Sequence, residues 1–145
     1  MSSDQSISRV IFFVAAVVAA TAIAGALIAI ANSTALSIRQ QGDLAADRMN
    51  TGIRIVNDPR IVPTGNGTVT FYVLNIGSKE LETSKLTAFV DGLYAEPVAK
   101  EVVAGARWMP GKILALTVRA ELNGGDHWVK VVLDNGNFDM MEFRT

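Results

Sequence analysis

The sequence predicts an N-terminal transmembrane α-helix followed by an all-β domain, an antiparallel two-sheet β-sandwich of immunoglobulin-like outline. Three observations predict it. Val10 to Ala31 is an uninterrupted apolar run of 22 residues without a charge. Beyond Gly52, apolar residues recur at every second position, the period of a half-buried strand. Turn signals built from Gly, Asn, Asp and Pro then punctuate the chain every 8–12 residues or so, the spacing of a sandwich of short strands.

The first element is the apolar run. At about 1.5 Å per residue it makes a helix of roughly 33 Å, the hydrocarbon thickness of a bilayer. It starts after Arg9 and stops at Asn32. Residues 1–9 are then a short cytoplasmic head and residues 10–31 the transmembrane helix. A cleaved secretory signal is the competing reading, with Arg9 ahead of the run and Ala29-Ile30-Ala31 as a small-x-small site. Secretory apolar cores usually run about 7–15 residues, so the length favours an anchor. Basic residues flank the run evenly, Arg9 against Arg39 and Arg48. The small head is the part easily left in the cytoplasm, which makes the chain single-pass in the cytoplasmic membrane with its β-domain outside. Ala15 and Ala19, Ala22 and Ala26, and Gly25 and Ala29 each lie four apart. That spacing puts each pair on one face, where helix backbones approach closely. Alanine is equally a plain helix-favouring apolar residue.

Residues 32–50 continue with helix formers and read as a helical stalk. Gly42 costs about 1 kcal/mol relative to alanine and predicts a kink there. Residues 51–145 form the β-domain. Ile53 and Ile55 open it, and Asn57-Asp58-Pro59 breaks the strand. Pro63 and Gly65-Asn66-Gly67 lead into Val69, Phe71 and Val73. Leu86, Ala88 and Val90 are the next inward set, closed by Asp91-Gly92, and a weaker strand covers residues 98–103. Leu114, Leu116 and Val118 follow the Pro110-Gly111 turn. Asn123-Gly124-Gly125-Asp126 reads as a hairpin turn, since its glycines accept positive φ. Val129, Val131 and Leu133 complete that pair, and residues 137–145 add a last strand. The fourteen inward residues from Ile53 to Leu133 named here form the predicted core.

Catalysis finds little support. The chain has no cysteine, one histidine and a net charge of -1. Disulfides, thiolate metal sites and cysteine nucleophiles are excluded, and the missing basic tract argues against nucleic acid. No glycine-rich loop opens a helix to cradle a phosphate. His127 flanks the predicted hairpin and reads as a solvated turn residue. Asp134-Asn135-Gly136-Asn137-Phe138-Asp139 is oxygen-rich but lacks the spacing and closing glutamate of a calcium loop, so it reads as a polar turn. No enzyme activity, cofactor, metal or small-molecule substrate is expected. Two N-x-S/T triplets, at Asn32 and Asn66, are candidate glycosylation sites, Asn66 the better because Asn32 lies close to the bilayer.

More informative are apolar residues off the inward phase. With Val129, Val131 and Leu133 inward, Trp128 and Val132 point out, as does Phe89 beside Ala88 and Val90. Trp108 and Met109 sit in a loop before Pro110, and Phe143 lies with Met140 and Met141 near the carboxyl end. Phe89, Trp108, Met109, Trp128, Val132 and Phe143 are therefore the candidate partner interface, and Ala15, Ala19, Ala22, Gly25, Ala26 and Ala29 the candidate helix-packing residues. Capping the ends of the sandwich is the alternative use of the aromatic residues.

The order of features also resembles a known family. The span and stalk are followed by Ile53-Arg54-Ile55-Val56-Asn57-Asp58-Pro59. Then come Phe71-Tyr72-Val73-Leu74-Asn75-Ile76-Gly77-Ser78-Lys79-Glu80-Leu81 and Phe89-Val90-Asp91-Gly92. Together these resemble the FlaG family, accessory proteins of the archaeal flagellum (archaellum), with the sister FlaF family and the archaellins as looser matches. The resemblance implies a non-catalytic stator component with its β-sandwich outside the membrane. It would bind a FlaF-like protein or itself, beside the archaellum motor or the surface layer. Archaellins carry a basic residue and glycine just before the apolar helix, whereas Ser8-Arg9-Val10 stands here. A pilin-like filament subunit with its helix in a fibre core, and a secreted surface-binding module, are the alternatives.

Overall fold

The computed structural model describes residues 2–145, with side chains from Gln5 onward, so Met1 of the predicted head lies outside the described residues. One α-helix, α1 (Ser2–Asn50), is followed among the described residues by nine strands, with a short 3-10 helix at Thr83–Lys85 between the third and fourth. The chain divides into two compact units, one up to Asp43 and one from Leu44 to Thr145.

In the first unit α1 runs without a break from Ser2, so residues 2–9 are helical, and the helix continues through Gly42. An isolated glycine loses its cost against the helix formers on both sides. Its mean hydropathy reaches 2.6 and none of that stretch is buried, which makes the helix long and apolar enough to cross a membrane. A membrane anchor and a signal sequence both fit it. The apolar residues cover every side of the helix instead of one stripe, the pattern expected where the surroundings are apolar all round. Hydroxyls in and just past the apolar run bond inward. Thr21 Oγ1 donates to the carbonyls of Val17 (3.0 Å) and Val18 (2.9 Å), and Ser33 Oγ to that of Ile30 (2.9 Å). Each polar group in the run is thus satisfied by its own helix, as a hydrocarbon environment demands.

The second unit holds two antiparallel sheets. The strands are β1 (Ile53–Ile55), β2 (Thr64–Gly65), β3 (Thr68–Asn75), β4 (Leu86–Val90), β5 (Leu93–Ala95), β6 (Pro97–Val102), β7 (Ile113–Arg119), β8 (Asp126–Leu133) and β9 (Phe138–Arg144). The first sheet has the order β1-β3-β7-β6, with β2 also on β3, and the second the order β5-β4-β8-β9. All fourteen predicted core residues are buried, and Val62, Leu81, Ala95, Trp108 and Phe143 join them. β3, β4, β7 and β8 each contribute three alternate side chains to this one cluster. Burying each Val, Leu or Phe is worth roughly 1.5–3 kcal/mol, so these four strands carry most of the stabilisation.

One connection departs from expectation. β7 pairs with β3 and β6, whereas β8 pairs with β4 and β9. Asn123-Gly124-Gly125-Asp126 is therefore a crossover between sheets, not a hairpin turn. The hairpin lies earlier, at Asp91-Gly92, where φ values of 50° and 81° reverse β4 into β5. Both residues then sit in left-handed backbone, which Asp and Gly tolerate best.

Candidate functional site

Two features of the second unit are candidates for function. The first is the outer face of the second sheet. Register aligns its outward residues in rows. Tyr94, Phe89, Lys130 and Met140 form one row across β5, β4, β8 and β9, because Phe89 faces Tyr94 and Lys130, and Lys130 faces Met140. Thr87, Val132 and Phe138 form the next. On the other side Trp128 faces Glu142, and its indole lies over Gly92, 3.6 Å from where a Cβ would stand.

Rings and methyls dominate the face. Phe89 meets Tyr94 edge-on with centroids 6.4 Å apart, and Lys130 Nζ sits 4.2 Å above the Phe138 ring. Tyr94, Phe138 and Met140 keep 62%, 54% and 50% of their surface exposed. A shallow depression of about 640 Å³ lies between Pro59, Trp128, Met140, Met141 and Glu142. Contiguous apolar surface of this kind, rimmed by a lysine and a glutamate, suits a protein partner.

Of the predicted interface residues, Phe89, Trp128 and Val132 lie on this face, half-buried by their neighbours. Met109 is exposed in the loop before Pro110, apart from them. Trp108 and Phe143, in contrast, lie in the core and not on this face, being 1% and 3% exposed. Trp108 pairs with Leu81 in an isolated bridge and donates from its indole nitrogen to the Lys112 carbonyl (3.1 Å), so it plugs one end of the core. Phe143 stands in the inward phase of β9 and meets Phe71 edge-on at 5.3 Å. Sequence reasoning missed Tyr94, and left Phe138 and Met140 out of the candidate interface. The alternation of β9 holds the signal for the last two, since Phe138, Met140 and Glu142 share the phase opposite to Phe143. The predicted helix-packing residues are exposed on α1, and Asn66 is exposed at the β2–β3 turn with φ 52°.

The second feature is a polar collar around residues Leu44–Asn50, which belong to the second unit. The Asn135 amide donates to Asp47 Oδ2 (2.7 Å) and Thr51 Oγ1 (2.6 Å). The Asn137 amide reaches the carbonyls of Arg48 and Thr51, both at 2.8 Å. Arg48 Nε donates to the Asn135 carbonyl (3.0 Å), Lys79 pairs with Asp47, and the Ser78 N–H donates to the Asn50 carbonyl (2.9 Å). The β8–β9 turn read from sequence as a plain polar turn is thus a clasp for the carbonyls at a helix end, which otherwise lack partners. Hydrogen bonds from Lys79 and then Asn135 hold the Asp47 carboxyl below its usual range despite some desolvation.

His127 also departs from expectation. It lies in the inward phase of β8 opposite Phe143, with 13% of its side chain exposed, and its ring nitrogens contact Asp91 and the Asn123 carbonyl. Among the described residues no group of three or more His, Asp or Glu could hold a metal.

Comparison with known proteins agrees with a structural role. A family model described as archaeal-type flagellin matches residues 3–143, through α1 and both sheets. A relative from Methanocaldococcus jannaschii, carried under the name flagella-related protein G, is 26% identical over 98 residues, 65% of this chain. The match spans 64% of that relative's length, less than two thirds of it. Among solved structures, the archaellum periplasmic stator protein FlaG from Sulfolobus acidocaldarius aligns over 64% of this chain and 99% of its own. Its TM-score is 0.45 and its sequence identity 17%.

Proposed function

The chain belongs to the archaeal-type flagellin family and is a non-catalytic, archaellum-associated structural protein; from that premise we propose that it is a filament-type subunit. Its apolar helix packs against helices of neighbouring copies in a fibre core, and its β-domain, an immunoglobulin-like sandwich in outline, is displayed around that core. The single observation that carries this reading is the extent of the family match, which takes in the apolar helix together with the β-domain. The helix supports it, being apolar on every side, with Ala15/Ala19, Ala22/Ala26 and Gly25/Ala29 spaced for close backbone approach. The outer face of the second sheet supplies lateral contacts through Phe89, Trp128 and Val132. Before assembly the chain sits in the cytoplasmic membrane with residues 51–145 outside, where Asn66 is open to glycosylation.

A second reading is favoured by the flagella-related relative and by Ser8-Arg9-Val10, which lacks the glycine that resemblance to archaellins leads one to expect. Here the chain stays anchored and serves as a stator-type accessory protein, binding a FlaF-like partner or itself through the same sheet face. The mature N-terminus separates the two. Mass spectrometry of the chain from cells finds cleavage just ahead of Val10 if it is a filament subunit. An intact start at Met1 or Ser2 supports the anchored accessory role, and cleavage after Ala31 a secreted module.

A further inference from the structure

The chain's one histidine stands where two acceptors meet. Asp91 Oδ2 lies 2.6 Å from Nδ1 of His127, and the Asn123 carbonyl oxygen 2.6 Å from Nε2. A carboxylate and a carbonyl can only accept, whereas a neutral imidazole carries one N–H and a lone pair. Both contacts are satisfied together only by the doubly protonated ring. In either neutral tautomer one lone pair points at an oxygen 2.6 Å away. The ring is nearly enclosed and tilted against Phe143 with centroids 5.7 Å apart, so water has little room to intervene.

The two acceptors belong to different parts of the domain. Asn123 lies in the crossover that carries the chain from the first sheet to the second. Asp91 forms the β4–β5 turn and is fixed there, its Oδ1 accepting from the Trp128 N–H and its own N–H donating to the Trp128 carbonyl, both at 3.0 Å. We propose that His127 is a proton-operated latch that, when charged, ties the β7–β8 crossover to the β4–β5 turn. On losing its proton the ring keeps its bond to the fixed Asp91 carboxylate through Nδ1–H. The Nε2 lone pair then repels the Asn123 carbonyl, and the crossover loosens onto its remaining bonds to Thr145, whose hydroxyl donates to that carbonyl at 3.1 Å and whose backbone pairs with Gly125.

The charged groups around the ring fit this. Asp91 faces it from the β4–β5 turn. Asp126 lies beside it on β8, paired with Arg144 of β9 at 3.2 Å. The crossover offers the neutral Asn123 carbonyl and β9 the Phe143 ring, while Arg119 and Glu121 share the groove that contains Asp91. The Asn123 carbonyl first, and then Asp91, hold the His127 ring above its ordinary value of 6.5, against desolvation. Burial pushes the Asp91 carboxyl up, but the Trp128 N–H and His127 outweigh it and keep it ionised where the ring titrates. A raised folded value means that the latch is fully engaged below about 6.5 and is lost as pH rises through that folded value.

The test uses the full chain in detergent micelles with its single histidine labelled, so that one ring gives the whole signal. Nitrogen chemical shifts followed against pH should place the midpoint above 6.5, with both ring nitrogens protonated below it. Amide exchange at residues 121–125, corrected for the chemical rate, should slow by about ten-fold or more on the acid side, the effect of one charge-assisted hydrogen bond. Asp91→Asn should lower the midpoint, and His127→Gln should abolish the pH dependence of that exchange. A wild-type midpoint at or below 6.5, or equal corrected exchange on both sides of it, overturns the latch without recourse to any variant.

Discussion

A Cβ on Gly77 would stand 2.6 Å from the Asn50 carbonyl oxygen. The loop after β3 therefore reaches the last helical residue only because position 77 has no side chain, and it uses that approach to place the Ser78 N–H on the same carbonyl at 2.9 Å. Gly77→Ala forces this contact apart, at an overpacking cost of about 1–3 kcal/mol. Thermal unfolding should shift down by several degrees, and hydrogen exchange should rise first at residues 44–52.

The clasp from the β8–β9 turn predicts a second loss. Asn137→Ala removes the donor that serves the Arg48 and Thr51 carbonyls, and Thr51 is 7% exposed. Leaving such acceptors without a partner costs roughly 1–3 kcal/mol. Urea unfolding should show a lower midpoint with an unchanged slope, since the surface exposed on unfolding stays the same.

Acid should loosen the same collar. Asp47 is held below its ordinary 3.8 by Lys79 and Asn135. Its contribution is complete above about 3.8 and disappears as pH falls through the lower folded value. Exchange at residues 44–50, measured between pH 5 and pH 2.5 and corrected for the chemical rate, should rise at the acid end. Asp47→Asn should flatten that rise.

Core and outer-face substitutions should behave oppositely. Trp108→Ala empties a core position and strips the Lys112 carbonyl of its donor, so it should cost about 3–5 kcal/mol in unfolding free energy. Met140→Lys, on the apolar face beside Trp128, should leave the unfolding midpoint nearly unchanged. Trp128→Lys and Met140→Lys should both weaken self-association of the chain in cross-linking and size-exclusion, which Trp108→Ala reaches only by unfolding the domain.

These contrasts mark what the sequence could reveal. The core from Ile53 to Leu133 was legible because strand side chains alternate strictly, so one inward residue fixes the next. The face carrying Phe89, Trp128 and Val132 followed from the same rule. The crossover at Asn123-Gly124-Gly125-Asp126 was not legible. Turn chemistry sets the local reversal, not whether the next strand joins the same sheet. Trp108 looked exposed because its loop has no period, and only the bridge to Leu81 buries it. The collar joins Asp47 and Thr51 to Asn135 and Asn137, and the latch joins Asp91 to His127. Such pairings depend on the folded topology, which a single sequence does not display.

In-cell cross-linking tests most directly whether the chain assembles with its own copies. The full chain, tagged at its carboxyl end, is cross-linked mildly in intact cells and recovered from solubilised membranes and fibres. A filament-type subunit gives a long ladder of multiples of the chain shortened ahead of Val10, containing that chain alone. A short, fixed complex with a FlaF-like partner or motor components, and no ladder, would contradict the filament reading and assign the chain to the anchored accessory role.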